Sequence, residues 1–240
     1  MKAHVRGVFP SSSAMQFIPR ALVDEAQKGP LPHVDYTRMV AIIGLDVARF
    51  GDDQSVITTR FGLDARSIAV QKFRGLDGWD LGAKVAEHYN ALKKMGVRKV
   101  LINADAGGVG ASPIDWLRRN GYPVTAVNFG AAATDRAKYK NLRAEMWGRM
   151  REWLSAGGRI ADDEDLASEL TSVEYGYTPT SQILLEKKED LKARGLPSPD
   201  AADSLALTFA VKVNEYIEDV LPSPAPTRRG GVRRTRDPYL

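Results

Sequence analysis

Met39-Val-Ala-Ile-Ile-Gly-Leu-Asp46 is an unbroken apolar run that ends on a carboxylate. Apolar residues without alternation indicate a strand buried on both faces, hence the centre of an α/β sheet rather than its edge. The chain then turns at Phe50-Gly-Asp-Asp53 and continues as two β-prone stretches, Ser55 to Arg60 and Ser67 to Phe73, separated by Gly62 to Asp64. This spacing predicts a three-stranded antiparallel meander. Trp79 to Met95 carries apolar residues at 81, 85, 89 and 92, a helical period closed by Gly96.

A second apolar strand, Arg98 to Ala104, ends at Asp105. A helix follows over 113–120, with Ser112 as its cap and Pro113 in its first position, and Gly121 to Phe129 reads as a third core strand. Helices are predicted over 136–154, 163–173 and 200–216, with a short strand at 182–186. The order implies an α/β fold with a mixed sheet: the meander plus parallel strands, flanked by helices. Ligands on such sheets gather at the carboxyl ends of the central strands.

Outside this body, residues 1–35 read as an irregular lead-in punctuated by Pro10, Ser11 to Ser13, Pro30 and Pro32, with one short amphipathic turn around Leu22 to Ala26. The folded domain is expected over 36–218, and 219–240 is expected to be a flexible basic tail. There is no internal repeat.

With 240 residues and 43% hydrophobic content the chain can bury a full-sized core. It has no cysteine, which excludes disulfides, thiolate–zinc sites and thiol nucleophiles. The three histidines, His4, His33 and His88, form no local ligand pair. A catalytic metal would therefore sit on oxygen ligands, which favours Mg²⁺ or Mn²⁺. No apolar run reaches the roughly 18 residues of a membrane span, and Met1 to Pro10 lacks the apolar core of a signal peptide. A cytosolic protein is the expectation. The net charge of +4 is deceptive: residues 221–240 hold five arginines against Asp237, so 1–220 sums to zero. Overall basicity is no argument that the body binds nucleic acid.

The local argument rests on acids. Asp46 and Asp105 are each the first charged residue at the end of an apolar strand. If those strands are neighbours, the two carboxylates emerge at one sheet edge and repel each other unless a cation intervenes. Ser198-Pro-Asp-Ala-Ala-Asp203 starts a helix whose first turns carry Asp200 and Asp203 on one face. Three carboxylates converging from two strands and a helix suit a pair of divalent ions about 4 Å apart, an established way to cleave a phosphodiester. Each acid also has a plain alternative. A lone strand-end aspartate is usually a turn former or a helix cap, and Asp200 suits the helix dipole. Asp52 and Asp53 are simplest as turn residues, and Gly107 to Gly110 as a tight turn that lacks the lysine of a phosphate loop. Lys187, Lys188, Lys192 and Arg194 are candidates to hold DNA phosphate, although a charge run is usually a solvated face.

Five segments, in order, resemble the nuclease domain of tailed-phage terminase large subunits. Gly44-Leu-Asp-Val-Ala-Arg-Phe-Gly-Asp-Asp-Gln-Ser-Val56 is similar to its opening strand and hairpin, and Asn103-Ala-Asp-Ala-Gly-Gly-Val-Gly110 to its second acidic strand end. Tyr139-Lys-Asn-Leu-Arg-Ala-Glu-Met-Trp147 is similar to the following helix. Leu185-Glu-Lys-Lys-Glu-Asp-Leu-Lys-Ala-Arg-Gly195, running into Ser198-Pro-Asp-Ala-Ala-Asp-Ser-Leu-Ala-Leu207, resembles the third acidic motif. Val8-Phe-Pro-Ser-Ser-Ser13 looks like the preceding linker. The resemblance implies an RNase H-like fold and cleavage of double-stranded DNA with two ions, Mg²⁺ or Mn²⁺, cutting concatemeric genomes during packaging in the host cell cytoplasm. It implies that Asp46 bridges both ions, Asp105 binds one and Asp203 completes the site, with Asp200 auxiliary. It also implies a portal protein, a small terminase subunit and an ATPase domain as partners. The sequence contains no Walker A motif, so an excised nuclease domain or a split or truncated gene product is expected, unable to translocate DNA by itself. A non-catalytic docking module and an RNase H-like Holliday-junction resolvase are the alternatives.

Overall fold

In the computed structural model, residues 15–48, 54–107 and 111–217 are described. The turn at Phe50 to Asp53, residues 108–110 of the glycine-rich turn, the linker-like Val8 to Ser13 and the tail 219–240 lie outside them. The apolar run that ends at Asp46 forms β1 (Val40–Asp46), every residue of it buried. It pairs antiparallel with β2 (Ser55–Arg60), which pairs antiparallel with β4 (Gln71–Phe73). On its other side β1 pairs in parallel with β5 (Lys99–Asp105), and β5 in parallel with β6 (Val124–Val127). The order β4-β2-β1-β5-β6 is the expected meander plus parallel strands, with the acid-tipped strands side by side at its centre. Two short ribbons complete the strands: β3 (Asp64–Ala65) with β7 (Arg159–Ile160), and β8 (Tyr175–Tyr177) with β9 (Ile183–Leu185).

Because side chains alternate along a strand, the central strands split their residues between two layers. Ala41, Ile43 and Leu45, with Val100, Ile102 and Ala104, form one core with α2 (Gly78–Lys94) and α3 (Ala111–Arg119). Gly44, Asp46 and Asn103 point the other way, toward α7 (Asp200–Leu207), behind which lie α1 (Arg20–Lys28), α4 (Leu142–Ser155) and α5 (Glu164–Ser172). The short α6 (Lys188–Ala193) links β9 to α7. Gly44 lets α7 approach: a Cβ there would stand 1.9 Å from the Ser204 carbonyl oxygen. The Ser204 hydroxyl then bonds the carbonyls of Gly44 (3.0 Å) and Val56 (3.1 Å), pinning the helix to both strands.

Several elements depart from the expected boundaries, each for a local reason. The third meander strand is confined to Gln71–Phe73 because Asp64 accepts the N–H groups of Arg66 (2.8 Å) and Ser67 (3.0 Å), bending the chain. The helix expected from 136 starts at Leu142: Asn141 caps it through Ala144 N–H (2.9 Å), and 138–140 instead pairs with Ile183. The last helix stops at Leu207, where Asn103 bonds its carbonyl (2.9 Å) and Arg60 takes the Thr208 carbonyl (3.1 Å). The chain then returns extended to lie beside residues 38–40. Ser112, expected as a cap, lies inside the first turn of α3. The short turn at Leu22 to Ala26 is a nine-residue helix, with Phe17, Ile18, Val23 and Ala26 fully in the core. No helix among the described residues is long and apolar enough to cross a membrane.

Candidate functional site

The parallel register of β1 and β5 puts Leu45 opposite Ala104, so Asp46 and Asp105 follow at adjacent strand ends and on the same face. Both, with Asp200, line a cleft of about 540 Å³ at the carboxyl end of the sheet. Asp203 lies behind it, wholly buried. The helix period brings Asp200 and Asp203 together in the first turn of α7, over the strand ends.

One ammonium links three of these acids. Lys188 Nζ lies 3.3 Å from Asp46 Oδ2, 3.4 Å from Asp200 Oδ1 and 3.2 Å from Asp203 Oδ2. Asp105 stands apart from that contact set, with its Oδ1 accepting the Gly107 N–H (2.9 Å). Asp200 Oδ2 accepts the Gln54 N–H (3.2 Å). Of the other basic residues expected to meet DNA, Lys187 and Lys192 are exposed on the cleft wall. Arg194 is committed elsewhere: it bridges Glu174 (2.6 Å) and Glu186 (3.3 Å) and donates to the Ser172 carbonyl (2.7 Å).

Two residues to which the sequence reading gave no role complete the cluster. Arg143 and Trp147, one turn apart on α4, both reach Asp203: Arg143 Nε to Oδ1 at 3.1 Å and Trp147 Nε1 to Oδ1 at 2.8 Å. Both fall in the Tyr139–Trp147 segment that carries the resemblance, and their spacing of four marks a shared helix face without saying what the face meets.

The electrostatics divide the acids. Burial pushes the Asp46 carboxyl well above the usual carboxylate range, and Asp203, Asp200 and Asp105 push the same way against Lys188. Burial also raises Asp105, opposed by the Gly107 N–H and Lys188. At Asp203 burial acts upward too, but Arg143, Lys188 and the Trp147 N–H outweigh it and hold the group below its ordinary value. Burial pulls the Lys188 ammonium down, yet Asp46, Asp203 and Asp200 together keep it above its ordinary range, so it stays charged.

The donor set suits a hard cation, being oxygen throughout. Asp46 Oδ1 is buried without a hydrogen-bond partner among the described residues, and an orphaned carboxylate oxygen fits a metal ligand. Yet no group of three or more acids or histidines among the described residues is already arranged around one metal position. The Lys188 ammonium is a counter-ion shared by Asp46, Asp200 and Asp203.

No family model matches this sequence, and no curated protein matches it. Solved structures do match. The nuclease domain of the large terminase subunit gp2 of bacterial virus Sf6 is 18% identical, with a TM-score of 0.62 over 83% of this chain and 100% of that one. The fold is that of a terminase large-subunit nuclease domain. The large terminase nuclease of thermophilic phage G20c with bound magnesium agrees at 17% identity and a TM-score of 0.58, over 82% of this chain and 97% of that one. The Thermus phage P74-26 nuclease domain agrees at 16% and 0.54, over 79% and 93%. A mutant of the Sf6 domain has been solved with manganese, and the G20c nuclease also with cobalt. The RNase H-like architecture expected from the resemblance is thus present across most of the chain.

Proposed function

We propose that the chain is a metal-dependent endonuclease that cuts double-stranded DNA, the cutting part of a phage genome-packaging machine acting on concatemers. The observation that carries this is the convergence of Asp46, Asp105, Asp200 and Asp203 at one end of the sheet, with Asp46 Oδ1 unpartnered and Lys188 bridging three of them. So many buried acids are costly to a fold and are retained where charge has work to do. Magnesium and manganese in structures of the same fold agree with oxygen-ligand chemistry.

In this reading Asp46 would bridge two divalent ions, Asp105 would hold one, and Asp203 would complete the site with Asp200 beside it. Bound there, the ions would activate the attacking water and stabilise the leaving oxygen of a phosphodiester. Lys187 and Lys192, exposed on the cleft wall, would take the flanking phosphates. Portal protein, small terminase subunit and an ATPase domain are the partners proposed for the full machine.

Incubation of supercoiled plasmid with the protein and Mn²⁺ tests the reading. Nicked and linear products are expected from the wild type and not from Asp46→Ala. Plasmid left intact by the wild type after prolonged incubation sinks the proposal. One observation favours a second reading, a docking module that binds metal without cutting: Lys188 already neutralises the acids. Tight Mn²⁺ binding by calorimetry without turnover would select it.

A further inference from the structure

Asp203 is the most constrained acid of the cluster. A carboxylate offers about four lone-pair directions. Oδ1 of Asp203 uses two of them on donors from one helix face, the Trp147 indole N–H at 2.8 Å and Arg143 Nε at 3.1 Å. Oδ2 receives a long contact from Arg143 Nη2 at 3.4 Å and faces Lys188 at 3.2 Å. Arg143 is itself fixed, because its Nη1 donates to the Glu186 carbonyl at 2.8 Å, two residues before Lys188. Trp147 is fully buried, and its ring lies beneath the same guanidinium, 5.6 Å from it. Among the described residues Asp200 has no comparable clamp: it meets the Gln54 backbone N–H and Lys188.

We propose that Arg143 and Trp147 are positioning residues for the metal centre: they lock Asp203 in a single orientation, with Oδ1 taken by two donors and Oδ2, held by only a long contact from Arg143, turned to the Lys188 side where a cation would be met. This rests on the nuclease reading and deepens it. The donors compensate the Asp203 charge whether or not a metal is bound, so the carboxylate is oriented before the ion arrives. Among the described residues, Asp46, with one oxygen unpartnered, has Lys188 alone as a cationic partner, and an ion would add to that compensation. The clamp also couples the site to α4: tilting that helix withdraws both donors from Asp203 at once.

Trp147→Phe removes the donor and keeps the ring. A matched control exists in Trp153, a second buried indole whose N–H donates to the Gly62 carbonyl at 2.7 Å, away from the cleft. Mn²⁺ titration calorimetry on wild type, Trp147→Phe, Arg143→Lys and Trp153→Phe reads the effect directly, with thermal unfolding recorded alongside. Partners of metal ligands typically contribute 10- to 100-fold in metal affinity. A roughly tenfold weaker Mn²⁺ affinity is therefore expected for Trp147→Phe and for Arg143→Lys, which keeps the charge but loses the fork. Trp153→Phe is expected to lower the melting temperature and leave the affinity unchanged. Wild-type affinity in a folded Trp147→Phe, or an equal loss in Trp153→Phe, overturns the proposal. If the wild type neither binds Mn²⁺ nor cuts DNA, the nuclease reading fails and takes the clamp with it; if the wild type binds and Trp147→Phe binds equally, only the clamp fails.

Discussion

At the scale of single residues the site is a balance between buried acids and one ammonium. Lys188 keeps 31% of its side chain in solvent while its tip touches Asp46, Asp200 and Asp203, which are nearly or wholly buried. Removing one partner of a buried charge set leaves the rest uncompensated, at a cost on the order of 3 kcal/mol. The metal-free Lys188→Ala protein should therefore unfold at lower urea concentration than the wild type. Mn²⁺ should restore more stability to it than to the wild type, since the ion then has no resident competitor. Equal Mn²⁺-induced shifts in both proteins, measured by thermal unfolding, would show that Lys188 and the metal do not share a place. The lysine was legible as a positive charge near the third acidic motif. That it faces carboxylates rather than solvent depended on a turn of α6 that no local pattern reveals.

At the scale of elements, polar side chains inside the sheet layers tie strands to helices. His88 on α2 lies between Thr59 of β2, at 2.6 Å, and Gln71 of β4, at 2.9 Å. Burial holds its pKa below the usual histidine value, so the folded protein carries the neutral ring. The sign follows from linkage: a histidine whose folded pKa is depressed binds its proton first in the unfolded chain. Stability is then intact above an unfolded value of about 6.5 and is lost as pH falls below it, until the folded group titrates as well. Urea unfolding of the wild type between pH 7.5 and 5 should show this loss, and His88→Gln should show a shallower one. Identical slopes would assign the acid sensitivity to other groups. In the sequence His88 was only one of three isolated histidines; its partners come from two strands of the meander.

At the scale of the molecule, residues 16–27 ahead of β1 are built into the fold. Phe17, Ile18, Val23 and Ala26 are buried against the α4 and α5 layer, which also carries the Arg143–Trp147 clamp. Gln16 donates to the Thr171 carbonyl (2.6 Å) and Gln27 to the Asp163 carbonyl (3.0 Å), fastening both ends. Burying a large apolar side chain contributes about 1.5–3 kcal/mol, so losing Phe17, Ile18 and Val23 together approaches the net stability of an ordinary domain, on the order of 5–15 kcal/mol. A chain beginning at Asp35 is expected to unfold well below the full chain's melting temperature, or to aggregate. A truncated protein with an unchanged melting temperature would mean that this layer is dispensable. The proline-rich, polar appearance of 1–35 concealed the helix because its apolar residues are few and become informative only once α5 is beside them.

The sequence by itself determined the central strands, the α/β class and the acids at the strand ends, because an apolar run broken by a charge is a local signal that burial must honour. It also determined that Asp200 and Asp203 share a helix face, through the helical period alone. Only the tertiary structure decided which layer those acids meet. Gly44 admits α7 over β1, α4 brings Arg143 and Trp147 from 60 and 56 residues away in the chain, and α6 turns Lys188 inward. Such contacts arise from packing between elements that have no periodic trace in the chain, and they set which oxygen of which aspartate remains open to a cation.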